Sequence, residues 1–354
     1  MKNLSGLPEE QRQRRGNLCP PQSWKTPADH YISVLSHPWY RHMATLQHEI
    51  QMAVHQFFTA RGLITVSMPI TSSSISSPMG LGSDSVPVEV ELSGVRCYLA
   101  DSMQFMLELG CRLHEQGVYY IMPSFRGEQT DPSHLPQFYH VEAEIPGNLS
   151  EAMALAGAMI HHLSQQMLQK CSDSLRAIAG GVAHVERLLA LGGGYPEVRV
   201  EDVIPSLQRE GAGRVQHHPA GFDLITRKGE AELVRRTGED ALWLTHFDHL
   251  AVPFYQAYED GTGKALNADL LLGACETIGA GQRHATSAQV RAALLHHQLA
   301  PAPYLWYLCM RDRTPMQTSG FGMGLERYLL WLLQHDDIRD FPLLYRENGV
   351  VVLP

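Results

Sequence analysis

Apolar residues at Met43, Leu46, Ile50, Val54 and Phe57-Phe58 recur at the spacing of one face of a helix. The pattern predicts a helix from His42 to Gly62, where glycine stops it. LITVSMPI follows as a strand, with Pro69 near its end, where a missing N–H does no harm. The Ser-, Gly- and Pro-rich stretch 71–88 is predicted to be a mobile or ligand-wrapping loop. VEVEL and VRCYLA form a hairpin around Ser93-Gly94. SMQFMLELGCRLHE is helical, burying Met103, Met106, Leu107 and Leu113. VYYIMPS and QFYHVEAEI are two strands joined by a polar loop. SEAMALAGAMIHHLSQQMLQKC is an amphipathic helix with Ser150 as its N-cap.

Beyond residue 171 the pattern predicts helices around 174–191, 201–209 and 229–237, broken at Gly192–Gly194. ALWLTHFD and PFYQAYED are expected as strands, and SAQVRAALLHHQL as a helix. ALNADLLLGACETIG is an apolar run interrupted by Asp269 and Glu276. PYLWYLCMRD fits a strand or a helix. GFGMGLERYLLWLLQ turns from strand to helix. Nothing repeats. The one boundary separates an N-terminal extension, 1–38, from a single domain, 39–354.

With 354 residues, 44% of them hydrophobic, the chain can bury a large core. It has no apolar run of membrane-spanning length and no signal core near its start, so a cytoplasmic protein is expected. The net charge of −9, with five lysines to 23 arginines, excludes a strongly basic nucleic-acid surface. The arginine excess suits bidentate recognition of carboxylates or phosphates, or reflects a GC-rich genome. Six cysteines without a CxxC pair suggest reduced thiols, most of them buried.

The candidate chemistry lies in charges placed within apolar sequence. Strand alternation puts Arg126 and Glu128 on one face, and Glu142 and Glu144 on one face of the next strand. Such charges must be paired, wet or used, and a solvated hairpin face is the plain alternative. Asp269 and Glu276 form salt bridges or, with nucleotide phosphates, hold Mg2+. Arg283 is a clamp for a carboxylate or amide, or a surface ion pair. GFGMGLER does not fit GxGxxG and no βαβ unit follows it, which argues against a dinucleotide fold. Its glycines can instead bring backbone close to a flat ligand, with Arg327 over the ligand's face.

FRGE…HLPQFYHVEAE followed by GFGMGLER resembles motifs 2 and 3 of class II aminoacyl-tRNA synthetases, and Pro69 after the long helix resembles motif 1. GFDL at 221, LTHFDHLAVPFY at 244, ADLLLGACETIGAGQR at 268 and HDDIRDFP at 335 narrow the resemblance to the aspartyl/asparaginyl subgroup. It implies an α+β fold with an antiparallel sheet flanked by helices, a homodimer formed through motif 1, and the use of ATP and Mg2+. By the same resemblance Arg126 binds the α-phosphate and the reacting carboxylate, and Glu128 reads the adenine amino group. His134 touches the outer phosphates. Phe138 and Arg327 enclose adenine beside Gly324, and Asp269 and Glu276 hold Mg2+. Gln104, Glu108, Glu142 and Arg283 bind the amino acid.

The sequence also departs from the family. Leu107 stands where aspartyl enzymes have lysine, and Glu108 follows it, as in the asparaginyl pattern. Ser133 replaces the arginine that usually precedes the motif 2 histidine, and SSPMGLGSD replaces the family's EGG segment. Only about 40 residues precede motif 1, fewer than an anticodon-binding domain needs. The chain thus resembles the archaeal asparagine synthetase related to asparaginyl-tRNA synthetase. That resemblance implies tRNA-independent amidation of aspartyl-adenylate with ammonia, yielding asparagine and AMP, with tRNA not expected as a partner. The alternatives are adenylation of asparagine or a related amino acid with transfer to a carrier protein or natural-product intermediate, tRNA charging, and a non-catalytic sensor.

Overall fold

In the computed structural model, which describes residues 17–76, 81–82, 85–273 and 275–353, the first apolar stripe forms helix α1, Pro38–Thr59. Pro38 suits the first turn, where no N–H is needed, and the His37 ring accepts from the Trp39 N–H at 3.3 Å. Gly62 follows the helix at φ +82° and turns the chain. Helix α1 packs beside helix α3, Leu149–Lys170. Ser150 is not the N-cap of α3. Asn148 caps the Glu151 N–H, and the Glu151 side chain returns to the Asn148 N–H, forming a capping box.

Both helices cover one face of an eight-stranded sheet. In chain order its strands are β1 (Ile64–Thr65), β2 (Val118–Phe125), β3 (Gln137–Pro146), β4 (Glu197–Arg199), β5 (Ala241–Thr245), β6 (Asn267–Leu272), β7 (Cys275–Gln282) and β8 (Thr318–Gly324). Their spatial order is β1-β2-β3-β8-β7-β6-β5-β4, antiparallel except at the two edge pairs. The expected α+β architecture, an antiparallel sheet flanked by helices, is the one observed. Alternation divides β3 in two: Val141 and Ala143 face the helices, while Phe138, His140, Glu142 and Glu144 face the other way. On the helix side Phe58 stacks on Tyr119 at 4.6 Å. Each such buried aromatic contributes roughly 2–3 kcal/mol.

The opposite face carries the short helix α2, Gln104–Cys111, and an open cleft. Residues 17–36 fold back on the C-terminal part: Trp24 Nε1 donates to Asp340 Oδ1 at 2.9 Å, and Arg339 lies 3.5 Å over the Trp24 ring.

Several expectations change in detail. The strand after α1 pairs only at Ile64–Thr65. The predicted helix 174–191 is two helices, Ser172–Ala179 and Ala183–Ala190, parted at Gly180 with φ +78°. PFYQAYED contributes only the strand Tyr258–Glu259, and PYLWYLCMRD is helical over Leu305–Arg313. All six cysteines are free, but only Cys111 and Cys171 are buried. Residues 1–16 of the expected N-terminal extension, and residues 77–80 and 83–84 of the expected ligand-wrapping loop, lie outside the described residues.

Candidate active site

The cleft is a cavity of about 230 Å³ over β3, β8, β7 and β6, closed on one side by α2 and by Val252–Gln256. Its floor depends on missing side chains. Gly320 pairs with Glu144, and Gly322 with Glu142. A Cβ at Gly320 would collide with the Glu144 carboxylate and the Ala143 carbonyl, and one at Gly322 would meet Glu142. The glycines of GFGMG therefore make room for two carboxylates.

Glu142 is buried, accepts from Ser102 Oγ at 2.8 Å and from the Tyr120 hydroxyl, and lies 3.3 Å from His140. Burial pushes its carboxyl up to about 7, and pushes His140 down to about 4, so that imidazole is neutral. Arg283 grips Glu144 through Nε (3.1 Å) and Nη2 (3.0 Å), and donates from Nη1 to Gln256 Oε1 at 3.0 Å. Burial opposes the Arg283 charge, but Glu144 outweighs it and holds the guanidinium firmly protonated. Gln104 also lines the cleft; its Nε2 is buried without a hydrogen-bond partner.

At the other end Arg126 follows β2 directly rather than lying on it. Its Nε donates to Asp101 Oδ1 at 2.8 Å, and its guanidinium sits 5.1 Å over the Phe138 ring. Glu128 lies beyond the strand and accepts from the Val86 N–H at 3.1 Å. Arg327, in the first turn of helix α5 (Leu325–Leu332), donates to the Glu276 carbonyl at 3.0 Å and lies 3.4 Å from its carboxylate. Gly324 precedes that turn, and a Cβ there would touch the Arg327 stem at 3.6 Å.

Asp269 and Glu276 share this face because of a β-bulge. Asp269 pairs with Gly279, but the register shifts at Leu270/Leu271, so that Glu276 pairs with Leu271. Burial, and then the charges of Glu276 and Glu230, raise Asp269 well above the ordinary carboxylate range. A carboxylate pair destabilised in this way fits a divalent cation. Among the described residues no group of three or more His, Cys, Asp or Glu is arranged to hold a metal, so phosphate oxygens would have to complete the shell.

Of the expected site residues, Glu108, Glu128, His134, Phe138, Gly324 and Arg327 lie outside the lining of this cavity. Glu108 is fully buried but does not line the cleft; it accepts from the Tyr307 hydroxyl at 2.6 Å and is paired with Arg311. His134 sits in the β2–β3 loop, where Nδ1 is 3.1 Å from Asp131 and Nε2 is 3.0 Å from Arg227. Asp101, His140, Gln256, Arg227 and Glu230 were not foreseen. Asp101 directly precedes the helical segment SMQFMLELGCRLHE; the others come from remote segments or lack a local pattern.

The chain matches the family of class II tRNA synthetases (D, K and N) over residues 25–347. It is 28% identical to an asparagine–tRNA ligase of Thermus thermophilus, covering 90% of this chain and 75% of that protein. It is 27% identical to the Thermoplasma acidophilum asparagine–tRNA ligase, covering 80% and 64%. Its structure superposes on that of asparaginyl-tRNA synthetase from Pyrococcus horikoshii complexed with asparaginyl-adenylate, with a TM-score of 0.84, 22% identity and coverage of 100% and 78%. The Entamoeba histolytica asparaginyl-tRNA synthetase gives 0.79 at 20% identity, covering 96% and 74%.

These relatives overturn two expectations. Both proteins compared by sequence are named as tRNA ligases, so tRNA-independent synthesis of asparagine from aspartate and ammonia does not stand, nor does the exclusion of tRNA as a partner. Both expectations counted residues ahead of motif 1 and weighed one missing arginine in a loop. Neither feature belongs to the cleft itself. From Lys25 to Glu347, this chain is a member of the class II tRNA synthetase family of D, K and N enzymes.

Proposed function

We propose that this chain activates asparagine on ATP as an acyl-adenylate and passes the acyl group to the end of a tRNA. In the first step a carboxylate oxygen of the amino acid attacks the α-phosphorus and pyrophosphate leaves. In the second a ribose hydroxyl of the tRNA attacks the acyl carbon and AMP leaves. Such chemistry needs in-line placement and charge neutralisation, not a protein nucleophile. Arg126 supplies that charge at the α-phosphate and the reacting carboxylate. Phe138 and Arg327 sandwich adenine, Glu128 accepts from its amino group, and His134 lies toward the outer phosphates. Glu142 pairs with the substrate ammonium, Gln104 donates to the amino acid, and Arg283 meets its side-chain end. Asp269 and Glu276 would hold Mg2+, which supplies charge neutralisation of the phosphates. In the same proposal, the exposed Ile64 and Ile70 near α1 mark the homodimer contact.

The observation that favours asparagine is the charge balance of the cleft. The end of the cleft around Arg283 holds two acids, Glu142 and Glu144, against that one guanidinium, while Arg126 is paired with Asp101 at the other end. Arg283 is already neutralised by Glu144, and Leu107 supplies no further cation. A second substrate carboxylate would meet net negative charge, whereas a neutral carboxamide would not. With Glu108 committed to Arg311, Glu144 and Gln256 are the acceptors left for the amide N–H groups.

ATP–pyrophosphate exchange over a panel of amino acids, followed by acylation of total tRNA, tests this. Asparagine should drive exchange at least about 100-fold better than aspartate, the discrimination expected when buried polar groups are left unpaired, and tRNA should become acylated. Equal exchange with aspartate, or exchange without acylation, would refute the proposal.

A further inference from the structure

The β2–β3 loop meets an element outside the cleft lining. Helix α4, Arg227–Thr237, is capped by Thr226, whose hydroxyl accepts from the Gly229 N–H at 3.3 Å and donates to the Gly213 carbonyl at 2.7 Å. That anchor sets the first turn of α4 against the loop. Arg227 Nη1 donates to Ser133 Oγ, and Nη2 reaches His134 Nε2 at 3.0 Å.

A guanidinium has no acceptor, so His134 Nε2 must present its lone pair there. The ring proton then sits on Nδ1 and is donated to Asp131 at 3.1 Å. Burial works against the Asp131 charge, but hydrogen bonds from Ser133 prevail and hold that carboxyl down at about 2. Both ring nitrogens of His134 are thus engaged, and the fixed positive charge at this point belongs to Arg227. Three residues on, on the same face of α4, burial and then the charge of Glu276 push Glu230 up to about 7, against the pull of Arg327 and Arg227. Helix α4 also packs against β7, the strand that carries Glu276.

We propose that Arg227 is a phosphate-binding residue for the outer phosphates of ATP and for pyrophosphate, supplying from α4 the cation that the loop lacks at Ser133. This rests on the adenylation reading above. An arginine held by a hydroxyl and an imidazole keeps N–H groups free, in the fork geometry that suits a phosphate. Triphosphate charge is also what would offset three nearby guanidiniums, Arg126, Arg227 and Arg327.

The test is titration of the full chain with Mg2+·ATP and with AMP, alongside exchange kinetics with pyrophosphate varied. Arg227→Ala should weaken ATP binding and raise the KM for pyrophosphate about tenfold or more, the scale of a lost charge-assisted contact. AMP affinity and the KM for the amino acid should change less than about twofold. Arg227→Lys should recover part of the loss. Adding Ser133→Arg to Arg227→Ala should recover most of it, which a purely structural clamp would not do. Unchanged ATP affinity in Arg227→Ala, or equal losses for ATP and AMP, would overturn the proposal. Wild-type protein that binds no ATP would instead sink the adenylation reading beneath it.

Discussion

Replacing Glu142 with glutamine separates the cost of the site from its use. Burial raises this carboxyl from 4.5 to about 7, corresponding to roughly 3 kcal/mol of preference for the protonated form. The folded chain holds that proton up to about 7, whereas the unfolded chain releases it near 4.5. The penalty is therefore absent below the lower value and complete above the upper one. Glu142→Gln keeps an acceptor for Ser102 and Tyr120 but carries no charge. The variant should be more stable than wild type by about 1–3 kcal/mol near pH 8, with the gap closing near pH 4.5. Urea unfolding midpoints measured at the two pH values read this directly. The same variant should raise the KM for asparagine by about 100-fold, because the substrate ammonium loses its counter-charge. In wild type that KM should climb as pH falls below about 7, where the acid reprotonates. A gap that is the same at both pH values, or a variant less stable at pH 8, would refute the assignment of cost to the buried charge.

Three further outcomes follow from the geometry. Because burial and then its acidic neighbours raise the Asp269 carboxyl well above its ordinary range, Mg2+ binding with ATP should release protons. Calorimetry in buffers of different ionisation enthalpy would detect the release, Asp269→Asn should abolish it, and binding without proton release in wild type would count against the metal pair. Arg311→Met leaves Glu108 buried with only Tyr307 and should cost about 3–5 kcal/mol; adding Glu108→Gln should recover most of that in the same unfolding assay. Gly320→Ala would drive a methyl into the Ala143 carbonyl and the Glu144 carboxylate, so adenylate formation should be lost even where soluble protein is recovered; near-normal exchange would contradict the packing.

Local pattern carried a good part of this structure. The apolar stripe of α1, the Ser93-Gly94 hairpin and the strand-to-helix turn at Gly324 were legible because each depends on neighbours a few residues away. Alternation also placed Glu142 and Glu144 on a common face. Partners distant in sequence were less legible. Glu108 looked like a substrate reader until Arg311 and Tyr307, some two hundred residues on, were seen to engage it. Gln256 and Arg227 come from irregular chain and from a helix whose polar faces give no reason to single out one arginine. The glycines of GFGMG were read as leaving space for a ligand; Gly320 and Gly322 also make room for Glu144 and Glu142, which only strand register discloses.

The bulge that unites Asp269 and Glu276 makes the site a matter of counting as well as of identity. Thr277 is the extra residue at the register shift, 3% exposed, with its hydroxyl turned back to the Cys275 carbonyl at 3.2 Å. Exchanging its side chain for another small one would leave the carboxylate pair in place. Removing the residue would reverse the parity of the strand and send Glu276 to the helix side of the sheet. A substitution scan would therefore pass over Thr277, whereas a deletion scan would find it. Along this hairpin the length of the chain is itself inherited information.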